Sequence, residues 1–265
     1  MNISIGQYIP GNSILHRADP RTKILLTFLY MVTVIIIRSY VCYFVVSAFL
    51  LLAVLVSKIP FKFILRSLRG LIVLIIFTSV LNLFFYSGDT LLASFWVFKI
   101  YKEGVILSIT MVIRIILLII GASLLTFTTT PIMLTDGIEK LLSPLSKIHF
   151  PSHEIAMMMS LALRFIPTFA EETERIIKAQ TARGADFDSK GPIKKVKSFL
   201  PVLVPLFVSA FGRAEDLATA MEARCYRGGK GRTRLRILKF GRPDGVLFAL
   251  MLIVFAAVIL IQLCI

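Results

Sequence analysis

An all-α, polytopic membrane protein is the fold class this sequence predicts, and three observations carry it. Hydrophobic residues make up 57% of the 265-residue chain, only 17% are charged, and the mean hydropathy is +0.85, outside the range of soluble domains. Apolar runs approaching the roughly 20 residues that cross a bilayer recur about five times. The charges are segregated as well: 30 Lys and Arg against 15 Asp and Glu gather in the connections, because an ionised side chain in hydrocarbon is costly.

Taken in order, residues 24–37 form a short first run bracketed by Lys23 and Arg38, and residues 40–57 follow so closely that the two make a helical hairpin. No small-x-small cleavage pattern follows Arg38, so the first run reads as a retained span rather than a signal peptide. Residues 71–86, 104–130 and 246–265 supply the other three spans. Basic residues crowd the N-terminus (Arg17, Arg21, Lys23), the second connection (Lys58, Lys62, Arg66, Arg69) and the long stretch between spans four and five. Threading alternate sides puts all three on one face, so the positive-inside bias predicts a cytoplasmic N-terminus and an external C-terminus. Trp96, Phe98 and Tyr101 fit an external aromatic belt, and Asn82 reads as interhelical glue. Arg114 sits inside the fourth span, where a hydrogen bond to a neighbouring helix carbonyl suits it better than a substrate role.

The organisation that follows is a membrane domain at 1–130, a cytoplasmic domain at 131–243 and a C-terminal span at 244–265. The middle segment is too long for a structureless loop. Its pattern predicts an amphipathic helix over 131–148 and a second helix from Pro151 and Ser152 to Arg183, stopped by Gly184. After a turn-rich linker at 186–192, a third helix runs over 193–224 and is about 48 Å long at 1.5 Å per residue. Two apolar stretches, 155–169 and 199–211, contain Arg164 and Pro167, and Pro201 and Pro205. Counting them as spans would give six or seven crossings, but it would bury Arg164 or require a very short helix. Helices lying along or beneath the membrane are preferred, with apolar faces large enough to mark an interaction site. Pro167 and Pro205 serve either as pivots or as places where the surface bends.

Catalytic and cofactor patterns are absent from the sequence. Cys42, Cys225 and Cys264 form neither a CxxC pair nor an even framework, and His149 and His153 have Pro151 between them with no thiol or acid completing a metal set. Residues 228–231 lack the spacing of a P-loop. No cofactor and no metal are expected. The basic run Arg227, Lys230, Arg232, Arg234, Arg236, Lys239 and Arg242 precedes a span, so anionic headgroups suit it and nucleic acid does not.

The most informative feature is a quasi-repeat. Glu174, Ala179, Ala182 and Arg183 recur at identical spacing as Glu215, Ala220, Ala223 and Arg224, each set ending a long helix. Small residues permit close approach, and an arginine at a helix tip offers a planar fork to a carboxylate. The helix dipole alone also favours a cation there, by about 0.3–1 kcal/mol. Spacing by itself leaves docking and dipole evenly matched.

The tips Ala182-Arg183-Gly184 and Ala223-Arg224-Cys225 resemble the paired Ala-Arg-Gly motifs of the transmembrane T-component (EcfT, or CbiQ/EcfT) family of energy-coupling factor transporters, with Cys225 where that family more often has Gly or Ser. The N-terminal stretch with Tyr8, Pro10, Gly11, Ser13, Leu15, His16, Arg17, Asp19, Pro20, Arg21 and Lys23 is similar to the same family's opening motif. The resemblance implies an L-shaped, non-catalytic coupling subunit in a bacterial cell membrane. It implies that Arg183 and Arg224 each enter a groove on one subunit of an ATPase heterodimer that hydrolyses the ATP. A small substrate-binding membrane protein, the S-component, would carry a vitamin or a metal ion and would face Phe199, Pro201, Pro205, Phe207 and Phe211, with Pro167 a further hinge candidate. Two rival readings are a self-sufficient secondary transporter, which wants intramembrane acids that the spans lack, and a lipid-modifying enzyme, which wants convergent His, Asp or Glu.

Overall fold

In the computed structural model, residues 8–86, 88, 90–95, 98–148, 150–185, 187, 191–228, 238 and 240–264 are described. They divide into two compact units, residues 8–137 with 238–264, and residues 138–228.

The first unit is a helical bundle. A short helix α1 (Ile14–Arg17) leads into α2 (Pro20–Ile36), which starts where Asp19 caps the Arg21 amide and proline occupies the first helical position. Helix α3 (Tyr40–Ser57) returns, and Lys58 in the left-handed region ends it. Helix α4 (Phe61–Arg69) and α5 (Ile72–Phe85) are bent by 58° to each other, and α6 (Lys102–Thr128) runs back along both. Helix α10 (Arg242–Cys264) closes the unit by packing on α2 and α3, which both also pack on α6. The core is built from Tyr30, Val34, Val46, Leu50, Leu117, Phe127, Met251 and Val258, while Phe44, Leu52, Phe77, Phe85, Ile253 and Leu263 face outward. An apolar exterior of this kind is what a bilayer, and not water, tolerates.

Helices α3, α6 and α10 are long and apolar enough to cross a membrane, and so is the bent pair of α4 and α5 when the two are taken together. Helix α2, with 17 residues, spans about 25 Å and depends on its polar flanks to reach the headgroups. The second connection of the sequence reading is itself largely helix. Helix α4 buries Ile64 and leaves Phe61 and Leu65 exposed beside Lys62, Arg66 and Arg69, the composition of an interfacial helix whose basic heads snorkel.

Arg114 meets the expectation for it: Nε donates to the Tyr43 hydroxyl at 2.9 Å and a guanidinium nitrogen to the Ile37 carbonyl at 2.6 Å. Asn82 does not. Its amide donates to Thr78 O, one turn back in α5, and the cross-helix bond is made instead by Ser79 and Ser108 at 2.6 Å, where two small side chains let α5 and α6 approach. A two-stranded antiparallel hairpin, β1 (Leu91–Phe95) and β2 (Phe98–Tyr101), connects α5 to α6, a feature the all-helical reading lacked. Trp96 of the expected aromatic belt lies outside the described residues, as do His149, most of the linker at 186–192 and most of the basic run before α10.

Candidate docking site

The second unit contains the end of α7 (Pro131–Leu142), a 3-10 turn (Ser143–Ile148), α8 (Ser152–Ala182) and α9 (Pro192–Ala223). Helices α8 and α9 pack antiparallel. Glu172 in α8 accepts from Ser209 Oγ at 2.6 Å and from Arg213 at 2.7 Å in α9, and the Arg213 guanidinium lies 5.7 Å from the Phe169 ring. The Ser209 hydroxyl holds the Glu172 carboxyl below its ordinary value, against the opposing effect of burial and with the help of Arg213. Farther along, Leu161 and Arg164 of α8 share a groove with Leu217, Met221 and Arg224 of α9, which fixes the antiparallel sense.

The two arginine tips end in the same way. At the end of α8, Gly184 N–H donates to Thr181 O at 2.9 Å and Ala185 N–H to Gln180 O at 3.0 Å, with Gly184 at φ +88. At the end of α9, Cys225 N–H donates to Glu222 O at 2.8 Å and Tyr226 N–H to Met221 O at 3.0 Å, with Cys225 at φ +55. Both are Schellman stops, in which a left-handed residue turns the chain so that the last carbonyls find donors. Ala182, Arg183 and Gly184, and Ala223, Arg224 and Cys225, are all exposed. Because the helices are antiparallel, the tips sit at opposite ends of the pair. Arg224 is level with residues 157–164 of α8, so about 20 residues of helix, roughly 30 Å, separate it from Arg183.

Cysteine in the left-handed region costs about 1–2 kcal/mol that glycine does not, whereas glycine adds about 0.4–1 kcal/mol of chain entropy to the unfolded state. Cys225→Gly is therefore expected to be neutral or to stabilise the α9 tip by up to about 1.6 kcal/mol, with no loss of assembly. Hydrogen exchange at the Cys225 and Tyr226 amides checks this, and faster exchange in the variant would contradict it.

Two further arginines, Arg164 and Arg227, line the same groove as Arg224. Sequence reasoning missed this convergence because it depends on the antiparallel register. Spacing within one helix carries no trace of it.

Prolines 167, 201 and 205 all lie inside continuous helical segments. Phe207 and Phe211 stack with ring centroids 6.5 Å apart, and they are 61% and 72% exposed, with Val204 and Val208 beside them. Phe199 instead leans on Phe187, at 5.6 Å between ring centroids. The residues 196–223 of α9 are long and apolar enough for a span by composition alone. They pack on α8, however, whose second half carries Glu171, Glu172, Glu174, Arg175 and Lys178.

The N-terminal motif is placed elsewhere, in the first unit. Gly11 leaves room for the His16 imidazole, which a Cβ would approach within 2.8 Å. That ring bonds Ser13 Oγ at 2.6 Å and the Ile9 carbonyl at 3.0 Å, and Ile9 N–H donates to Phe127 O. Pro10 and Arg17 flank this arm, and Asp19, Pro20 and Arg21 open α2. At Asp19, burial acts to raise the carboxyl pKa, but bonds from the Arg21 side chain and amide hold it below the usual carboxylate range. Among the described residues no group of His, Cys, Asp and Glu is arranged to hold a metal ion.

The family model for CbiQ, cobalt transport protein, matches residues 11–235. Three relatives named energy-coupling factor transporter transmembrane protein EcfT align along nearly the whole chain. The one from Ruminiclostridium cellulolyticum is 53% identical over 261 residues, 98% of this chain and 97% of the relative. The one from Clostridium kluyveri is 52% identical over 244 residues, 92% and 90%. The one from Bacillus subtilis is 46% identical over 251 residues, 94% and 94%.

Proposed function

The chain belongs to the CbiQ cobalt transport protein family and is a transmembrane component of an energy-coupling factor transporter, and we propose that it couples two partner ATPase subunits to a small substrate-binding membrane protein. The observation that carries this reading is the pair of matched tips. Two antiparallel helices with the same Ala-Arg ending and the same Schellman stop present one recognition element twice, at opposite ends of the pair. Two similar subunits of a dimeric ATPase, each with an acidic socket, are the partner such a pair fits.

On this reading α8 and α9 lie on the cytoplasmic side, residues 131–243 form the coupling domain, and the exposed Val204, Phe207, Val208 and Phe211 stripe contacts the S-component. That stripe is an apolar surface that water would not leave bare. The N-terminus is cytoplasmic and the C-terminus external. Support for this comes from the bundle, where Asp19, Thr128 and Asp244 share one end and Ile36 and Gln262 share the other. The chain does no chemistry itself. A vitamin or a metal ion, bound by the S-component, is the cargo, and ATP is hydrolysed by the partners.

Affinity purification of the chain from gently solubilised membranes is expected to bring down two ATPase subunits and a small membrane protein. Recovery of the chain alone, with uptake into liposomes under an ion gradient only, would replace this reading with the secondary transporter.

A further inference from the structure

The N-terminal motif is not used by the docking tips, and its surroundings give it a separate task. Asp19, Lys23 and Asp244 are only 5%, 6% and 4% exposed. Asp244 accepts the Asp19 N–H on Oδ1 and the Gly241 N–H on Oδ2, both at 2.7 Å. Asp19 grips Arg21 through both oxygens, at 3.0 and 2.8 Å. Arg21 in turn donates to the Leu238 carbonyl at 3.3 Å and lies 4.1 Å from the centre of the Phe240 ring. Lys23 Nζ donates to the carbonyls of His16 at 3.2 Å and Thr128 at 3.0 Å. Gly137 rests on Pro20 and Ile24 so closely that a Cβ would lie 3.1 Å from each.

These contacts fall on particular stretches of chain. The chain leaves the membrane unit through Thr128 and α7, a helix that continues unbroken past Gly137 into the second unit. It returns through residues 238–244. Residues 19–24 hold both: Lys23 the end of α6, Pro20 and Ile24 the body of α7, and Arg21 and the Asp19 amide the returning segment. Stability alone does not call for such an arrangement, since a buried ionic network is often no better than apolar packing, and its best-attested use is to fix register.

We propose that residues 19–24, with Asp244, form a clamp that fastens both chain links to the head of α2, so that movement of the coupling helices reaches the bundle without slack. The proposal rests on the coupling reading. Without the clamp, the returning link would absorb displacement as a loop, and ATP would be hydrolysed without delivery of cargo. Asp19, Arg21, Lys23 and Asp244 are thus positioning residues for transport, separate from the docking arginines.

The test uses the full complex in liposomes, measuring uptake and ATP hydrolysis together. Asp244→Asn keeps the shape but replaces an acceptor oxygen and the charge. It is expected to co-purify with the ATPases at wild-type stoichiometry, to hydrolyse ATP within twofold of wild type, and to lose at least tenfold in uptake per ATP. An unchanged ratio would overturn the clamp, and so would loss of ATPase binding, which would put the residue in docking. Should that variant fail to accumulate, Arg21→Lys decides by the same ratio, because a lysine cannot reach Asp19, Leu238 and Phe240 at once. If the wild-type chain binds no ATPase, the coupling reading fails by itself. Hydrogen exchange on the chain alone then judges the clamp: Arg21→Lys must speed exchange in 131–137 and 238–244 together, and a change in only one link refutes it.

Discussion

Replacing Arg183 and Arg224 together by Glu is expected to abolish co-purification of the ATPase subunits while the chain still inserts and folds. Each arginine stands exposed on a closed helix stop that its backbone forms, so its side chain contributes little to holding the fold. A buried arginine at the centre of an interface commonly contributes 2 kcal/mol or more. The tips lie roughly 30 Å apart on the packed pair, far enough that their losses add. Together they cost about 4 kcal/mol or more, roughly a thousandfold in affinity, before repulsion between the new carboxylates and acidic sockets. Against this, a carboxylate at a helix C-terminus costs only about 0.3–1 kcal/mol through the dipole, too little to unwind helices of 31 and 32 residues. Pull-down of tagged chain from mixed detergent extracts reads the outcome, with circular dichroism to verify the fold. Capture of the ATPases at wild-type level by the double variant would remove the docking role.

Gly121→Ala is expected to lower the stability of the membrane bundle by about 3 kcal/mol, the upper part of the usual range for overpacking. A Cβ at this position would run into the Tyr30 ring. Tyr30 cannot step aside easily, because it is almost fully buried and its hydroxyl donates to the Leu117 carbonyl at 3.1 Å. Moving the ring would break that bond and leave a buried hydroxyl unpaired, a cost of about 1–3 kcal/mol. Moving the helix instead would separate α2 from α6 along their contact. The measurement is the thermal midpoint of the chain in detergent. Tyr30→Leu in the same chain should recover part of the loss, since it vacates the space the new methyl needs. Independent, additive effects of the two changes would show that the contact is not the cause.

Particular elements show how far the sequence could be read. The ends of α8 and α9 were legible to within a residue or two, because Pro151 with Ser152, Gly184 and Pro192 are local signals that act on the few residues beside them. Both arginine tips were legible for the same reason. The 58° break before α5 was not: Gly70 and Leu71 look like any residues between a basic stretch and an apolar run, and the bend shows only once both helices are packed on α6. Asn82 was misread because a polar residue in a span has carbonyl acceptors one turn back in its own helix as well as across an interface, and composition does not choose between them.

By itself the sequence determined the membrane character of the chain, its principal apolar helices and the paired Ala-Arg endings, since these follow from composition, periodicity and spacing over a few turns. Only the tertiary structure decided that α8 and α9 run antiparallel and so aim equal tips apart, that Arg164 and Arg227 join Arg224 in one groove, and that Asp19 meets Asp244 from 225 residues away. Helix formation depends on near neighbours and is written locally. Which buried charge finds which partner depends on how several helices share one desolvated space, and no stretch of sequence holds that information alone.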